Sequence, residues 1–246
     1  SSIIPVTVPG LLFKVPKMLA DPLGPVYLRW SYLPRMMPWL FKYLRHCTED
    51  SVRHIARHMA PMTADSLDEH QRLAQGTAAA ERITTIPYSF VYKERANFES
   101  DPLAWGLREE HGIPWDITEG DAVHEQEPAL APQYKCLVNL RHQHGTIDHP
   151  GDYIKDLAKA FTAGGGRIET AAVTGFERAD GRITGVITDT GTINAETVVV
   201  AAGAWSARLL KSLGINVPME TERGYHVELA KPSIKPNGAL MVADGK

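Results

Sequence analysis

What this sequence lacks narrows its function first. Its 246 residues include two cysteines, Cys47 and Cys136, in no CxxC or metal-ligand spacing. Both read as free core thiols of a reducing compartment, which excludes a disulfide scaffold. Basic charge is not in excess: the net charge is -3, so there is no electrostatic footprint for nucleic acid. No stretch of about 18 apolar residues is present to cross a bilayer, and no secretory signal is visible. No serine sits in a GxSxG elbow. His54 and His58 share a helix face at i, i+4 but lack the glutamate of HExxH, so they read as solvated histidines. His142, His144 and His149 cluster near Arg141 without a regularly spaced acidic or thiolate ligand, and no metal is expected there. Repeats and low-complexity tracts are absent. There is no initiating methionine: the chain opens Ser1-Ser2-Ile3-Ile4-Pro5 and stops at Asp244-Gly245-Lys246 without a terminating element, which reads as a piece of a longer protein.

What is present is an ordinary globular composition, 43% apolar and 22% charged, long enough for one large domain or two small ones. Residues 1–45 mix apolar anchors (Trp30, Met37, Trp39, Leu40, Phe41) with Arg29, Arg35, Lys42 and Arg45. Pro16, Pro22, Pro25, Pro34 and Pro38 break this stretch into short pieces, and no long helix is expected before Pro38. Thr48 caps a helix carrying Val52, Ile55, Ala56 and Met59, and a second starts near Ala64 or Asp65, with Leu67, His70, Leu73 and Ala74 on one face. The aromatic alternation Ile86 to Tyr92 predicts a strand; Asp101 to His111 predicts a helix closed by Gly112. Asp116 to Glu127 is polar and predicts a short helix. Asp152 to Ala163 predicts an amphipathic helix with Tyr153, Ile154, Leu157, Ala160 and Phe161 inward, ended by Gly164-Gly165-Gly166. Strands follow at 167–173, 175–179 and 183–188, with a tight turn at Asp180-Gly181. Residues 197–202 form a continuous apolar run, as in a parallel strand buried on both faces, before a glycine turn and a helix from Ala207 to Leu213.

The ordered set of helix, strand, antiparallel excursion, buried strand, glycine turn and helix resembles the FAD-binding domain of the glutathione-reductase-like superfamily. Thr197-Val198-Val199-Val200-Ala201-Ala202-Gly203-Ala204-Trp205-Ser206 resembles the strand-and-turn signature of the D-amino-acid oxidase superfamily, which includes glycine oxidase, sarcosine oxidase and D-amino-acid dehydrogenases. Gly145-Thr146-Ile147-Asp148-His149-Pro150 resembles the entry into that domain, and Glu222-Arg223-Gly224-Tyr225-His226-Val227 the return to the substrate domain. Leu103 to Arg108 and Glu127-Pro128-Ala129-Leu130 are most similar to the bacterial D-amino-acid dehydrogenase branch.

The resemblance implies an α/β FAD-binding domain with a β-meander crossover, fused to a substrate domain of helices and mixed sheet. It implies a remnant of the FAD domain at 1–10, substrate domain at 11–145, FAD domain at 146–214 and a return into the substrate domain at 215–246. FAD would be met by Val173, Ala201, Ala202, Gly203, Ala204 and Trp205, and substrate by Tyr88, Tyr92, Tyr225 and His226, the tyrosines and histidine lying on strands. The family's opening G-x-G-x-x-G, where pyrophosphate sits on a helix N-terminus, is missing, as is the late segment with its substrate-carboxylate arginine. The chain by itself is therefore expected to bind FAD weakly and to be inactive. It is expected to self-associate through bare sheet edges at 167–173 and 197–202. The intact protein would oxidise a D-amino acid or related amine, pass electrons to quinone more readily than to oxygen, and lie in the cytoplasm or on the inner face of the membrane. Residues 11–45 leave a rival reading open, a membrane-surface or partner-binding module without catalysis.

Overall fold

A computed structural model describes residues 3–5, 9–10, 30–221 and 224–243, without the side chains of 142 and 143. Its helices are α1 (Leu33–Arg45), α2 (Glu49–Thr63), α3 (Ser66–Ala74), α4 (Arg95–Glu99), α5 (Pro102–Glu110), α6 (Ala122–Gln126), α7 (Pro150–Ala163) and α8 (Ser206–Lys211). The strands are β1 (Ile83–Tyr92), β2 (Trp115–Glu119), β3 (Cys136–Ile147), β4 (Val173–Ala179), β5 (Arg182–Thr188), β6 (Gly191–Asn194) and β7 (Ala239–Val242). The chain divides into two compact units, one of residues 1–28, 43–164 and 228–246, the other of 29–42 and 165–227.

The first unit is built on a four-stranded mixed sheet in the order β2-β3-β1-β7. β1 runs antiparallel to β3 and parallel to β7, so the last described strand closes the edge beside the first. Alternation along β1 puts Tyr88, Phe90 and Tyr92 on one face, opposite Leu140, Val138 and Cys136 of β3. That face carries the main core, where Phe98, Trp105 and Ile113 pack on Tyr92, Cys136 and Val138. The other face pairs Val91 and Leu137 with Val123, and holds a polar network. There Ser89 Oγ donates to Asn139 Oδ1 at 2.7 Å, Gln126 Nε2 donates to the same oxygen at 3.0 Å, and Thr118 Oγ1 donates to Gln126 Oε1 at 2.8 Å. Pro87 cannot donate to a ladder, and the register slips there: Ile86 faces His144 while Tyr88 faces Leu140, leaving residues 141–143 as a bulge.

Helix ends follow their caps. Thr48 Oγ1 accepts the Ser51 N–H, and Asp101 Oδ1 accepts the Ala104 N–H. α7 is tied to the unit by Arg82 Nε donating to Asp156 Oδ2 at 2.7 Å, and by a 2.9 Å hydrogen bond between His70 Nδ1 and the buried Tyr153 hydroxyl.

The second unit centres on the antiparallel meander β4-β5-β6, with Asp180 and Gly181 both at positive φ (50° and 78°) in the turn between the first two strands. Among its described residues no apolar side chain is fully buried.

Several expectations are corrected here. α1 runs through Pro38. Pro34 falls in its first turn, where an N–H would be unpaired anyway, and Pro34, whose carbonyl Pro38 deprives of a partner, is itself an exposed residue. The polar segment from Asp116 is strand β2 before it is helix α6, and β3 and β7 were not anticipated at all. Ile154, Phe161 and Leu73 are exposed instead of inward. Residues 167–172 and 197–202 carry no strand, and Val199 is 84% exposed. A strand exists only through a hydrogen-bonded neighbour, and among the described residues no strand lies against these segments; the Asp189 N–H reaches the Ala172 carbonyl at 3.0 Å, at the very end of the first. Likewise Tyr225 and His226 lie in irregular, exposed chain and not on a strand.

Candidate functional site

In the first unit, aromatic and cationic side chains form a continuous row along the Tyr88 face of the sheet. His144 stacks on Tyr88 with centroids 4.9 Å apart, Tyr88 meets Phe90 edge-on at 5.6 Å, and Phe90 meets Trp105 at 5.2 Å. The Arg108 guanidinium lies 4.7 Å from the Phe90 centroid and 4.5 Å from that of Trp105. Trp105 also abuts Trp115 at 5.0 Å and donates its Nε1–H to the Tyr92 hydroxyl at 3.1 Å. α5 sets this up: Ala104, Trp105 and Arg108 recur at helical spacing, so one stripe faces the sheet.

Charge in this row is perturbed by burial. Desolvation pulls the Arg108 guanidinium below the ordinary arginine value. Burial pushes the Tyr88 phenol up, and the nearby Arg108 charge opposes that shift. The Tyr88 hydroxyl stays protonated at neutral pH. Cys47 is likewise raised by burial, which makes it a poor nucleophile.

The expected substrate residues thus separate. Tyr88 is half-buried in the row. Tyr92 is buried in the core, where its hydroxyl serves Trp105. Tyr225, 88% exposed, and His226 belong to the irregular chain of the second unit. Arg108 and His144 were missed as members of the site. The legible signal for Arg108 is a cation at an apolar stripe position of α5; for His144 the sequence holds none.

The expected cofactor residues lie in the second unit. Val173 opens β4 opposite Thr188, so that strand starts where one was expected to end. Ala201 and Ala202 lie in irregular chain, Ala202 at φ −91° and ψ 20°, and Gly203–Trp205 is a single 3-10 turn leading into α8. Gly203 has φ +52°, and a Cβ there would meet nothing within 4 Å. The glycine is demanded by backbone conformation, and no described neighbour crowds it. Trp205 is 69% exposed and does not fill a core. No described glycine-rich turn opens a helix long enough to hold a pyrophosphate.

His54 and His58 rings lie 4.4 Å apart on the surface, and among the described residues no group of His, Cys, Asp or Glu could hold a metal. No helix among them is long and apolar enough to cross a membrane.

The FAD dependent oxidoreductase (DAO) family matches residues 25–244. A D-amino-acid oxidase of Bradyrhizobium diazoefficiens is 38% identical over the whole chain, which covers 58% of that protein. A D-amino acid dehydrogenase from the same organism is 31% identical over 89% of the chain and 52% of its own length. The chain thus spans about half the length of the curated relatives it matches. An L-amino acid deaminase of Proteus myxofaciens, solved with anthranilate, shares the fold over 65% of this chain and 36% of its own, with a TM-score of 0.52 at 20% identity. With the meander and glycine turn in the second unit and a mixed sheet in the first, the chain belongs to the FAD dependent oxidoreductase (DAO) family.

Proposed function

We propose that this chain is the central part of an enzyme that oxidises a D-amino acid, or a related amine, to the imino acid by hydride transfer to FAD. The observation that carries the reading is the family match over 25–244, running through both the aromatic row and the Gly203 turn. In this reading residues 1–10 and 146–214 belong to the flavin domain, and 11–145 and 215–246 to the substrate domain. FAD, when bound, supplies the hydride acceptor. The chain's own residues position and shield the amino acid: Tyr88 offers a protonated hydroxyl, and the Phe90–Trp105 wall excludes water. The Val173 edge and the Ala201–Trp205 turn offer a surface to the cofactor.

The relatives include proteins named as oxidase and as dehydrogenase. We assign this enzyme to the dehydrogenase side, with a quinone-type acceptor. The test is the full-length protein, purified and presented anaerobically with D-amino acids. A yellow preparation absorbing near about 450 nm that bleaches with D- but not L-enantiomers supports the reading; a colourless protein with no bleaching overturns it. Readmitting oxygen or a quinone then separates the acceptors.

A surface role rests on α1 and its flank. Trp30 and Phe41 are exposed there beside Arg35 and Lys42, a pattern suited to the anionic inner face of a membrane. The flanking stretch 11–29 lies outside the described residues. Sedimentation with anionic vesicles should weaken when Arg35 and Lys42 become serine; unchanged binding removes this role.

A further inference from the structure

The chain holds five asparagines, and the residues that follow them are Phe98, Leu140, Ala195, Val217 and Gly238. Only after Asn237 is the next backbone nitrogen unshielded by a side chain. Asn237 is exposed, in a bend just ahead of β7. It is also the latch that seats this strand against α6. Its N–H donates to Glu127 Oε2 at 2.8 Å, and its Nδ2 donates to the Gln126 carbonyl at 2.9 Å.

Both halves of the dipeptide are dictated by their surroundings. The amide of Asn237 supplies the donor that the Gln126 carbonyl takes up. At Gly238 an added Cβ would lie 2.6 Å from the Pro87 carbonyl oxygen and 3.1 Å from the Pro87 Cβ, so glycine is what lets the chain pass β1. The fold thus places a thermolabile residue before the neighbour that protects it least. The two hydrogen bonds of the latch lie at the surface, where local opening is frequent.

We propose that Asn237-Gly238 is a self-modification site whose conversion releases β7 from β1. The Gly238 backbone nitrogen attacks Asn237 Cγ. An N–Cγ bond forms, the Cγ–Nδ2 bond breaks, and Nδ2 departs as ammonia, carrying the proton lost by the attacking nitrogen. Water then opens the five-membered imide at either carbonyl. One opening gives aspartate; the other gives isoaspartate, with the main chain rerouted through Cγ. Nothing is oxidised or reduced, so the step is independent of the flavin reading.

Either product undoes the latch. A carboxylate has no N–H to donate, so the Gln126 carbonyl loses its partner and faces another acceptor. The new charge also arrives beside Glu127, which is 3% exposed and whose Oε1 has no hydrogen-bond partner among the described residues. Isoaspartate adds a backbone carbon as well, and β7 has only four residues in which to absorb it. Because β7 covers β1 from Tyr88 to Val91, its release bares the flank of the aromatic row.

The test is to age the purified chain in warm, mildly alkaline buffer and map its peptides. The tryptic peptide 224–246 should gain the mass of an amide-to-acid exchange, placed at 237 by its fragments. Asn97, Asn139, Asn194 and Asn216 should stay intact. Asp244-Gly245 in the same peptide isomerises without a change of mass and leaves this readout clear. Conversion should quicken as pH rises, because the attacking nitrogen must give up its proton. It should be lost in Asn237→Gln, which would have to close a six-membered ring. In the converted protein, and in fresh Asn237→Asp, the Ala243 N–H, bonded to the Val91 carbonyl, should exchange faster while α2 is unchanged. An unaltered 224–246 after ageing, equal conversion at the other asparagines, or unchanged Ala243 exchange in converted protein overturns the proposal.

Discussion

Gly203 and Asp156 are single positions where the backbone and the charge state make separate demands. At φ +52° in open space, Gly203 penalises any residue by its cost in the left-handed region, about 1–2 kcal/mol for an ordinary L-residue. Asparagine tolerates that region and valine does not. Unfolding midpoints should therefore fall in the order Gly203→Asn, Gly203→Ala, Gly203→Val; equal losses would mean side-chain contact, not φ, sets the requirement. Asp156 is a matter of protons. Hydrogen bonds from Arg82, then Lys159, hold its carboxyl below the usual range. A depressed folded-state value contributes stability that is complete above the unfolded value of about 4, and that is lost as pH falls through the lower, folded one. In urea titrations below about pH 4, the wild type should lose stability more steeply than Asp156→Asn; parallel curves would show that the Arg82 clasp is energetically silent.

At the scale of elements, the junction of β1 and β7 is the most tightly specified. A Cβ at Gly238 would sit 2.6 Å from the Pro87 carbonyl oxygen, backbone against backbone. Neither side can rotate away, so Gly238→Ala should displace the start of β7 at a cost of about 1–3 kcal/mol. Amide hydrogen exchange should report it. Protection at Ala243, whose N–H donates to the Val91 carbonyl at 3.0 Å, should drop while α2 is unaffected; preserved protection would show that β7 can shift without loss. Elements with local signals were legible in the sequence: Thr48 as a cap, Asp180-Gly181 as a turn, the alternation of β1. β3 was not, although it is the centre of its sheet. Its polar Asn139, Arg141, His142 and His144 interrupt any apolar pattern, because its partners are a polar network on one face and a bulge beside Pro87. β7 is four residues long and is made a strand only by β1. The candidate site divides the same way. Tyr88 was readable from alternation. Arg108 and His144 acquire meaning only when helix α5 and strand β3 are laid on β1, a relation no local pattern encodes.

For the whole molecule, the distribution of burial decides behaviour. The fully buried apolar residues among those described all lie in the first unit. Three strands without a buried face are marginal alone. Limited proteolysis of 1–246 should therefore cut first within 165–227, before any site in 83–147; simultaneous loss of both units would show they unfold as one. The exposed run around Val199 should make the chain associate as concentration rises, visible as a shift in sedimentation. FAD titrated by calorimetry should show no stoichiometric complex at micromolar protein, since the described turns lack a phosphate-binding helix start. A tight complex would place the cofactor on surfaces other than Gly203 and Val173.

The parallel partner of β1 also imposes an order in time. β1 ends at Tyr92 and β7 at Val242, with residues 165–227 of the second unit threaded between them. On a ribosome making about 5–20 residues per second, the open side of β1 waits roughly 8–30 seconds for its neighbour. During that interval Phe90 and Val91 front an unfilled edge in the nascent chain, one that another polypeptide could occupy. Stalling synthesis just before Gly238 should trap this species with β1 and β3 already joined and their flank bare, a client for holdase chaperones until the final strand emerges.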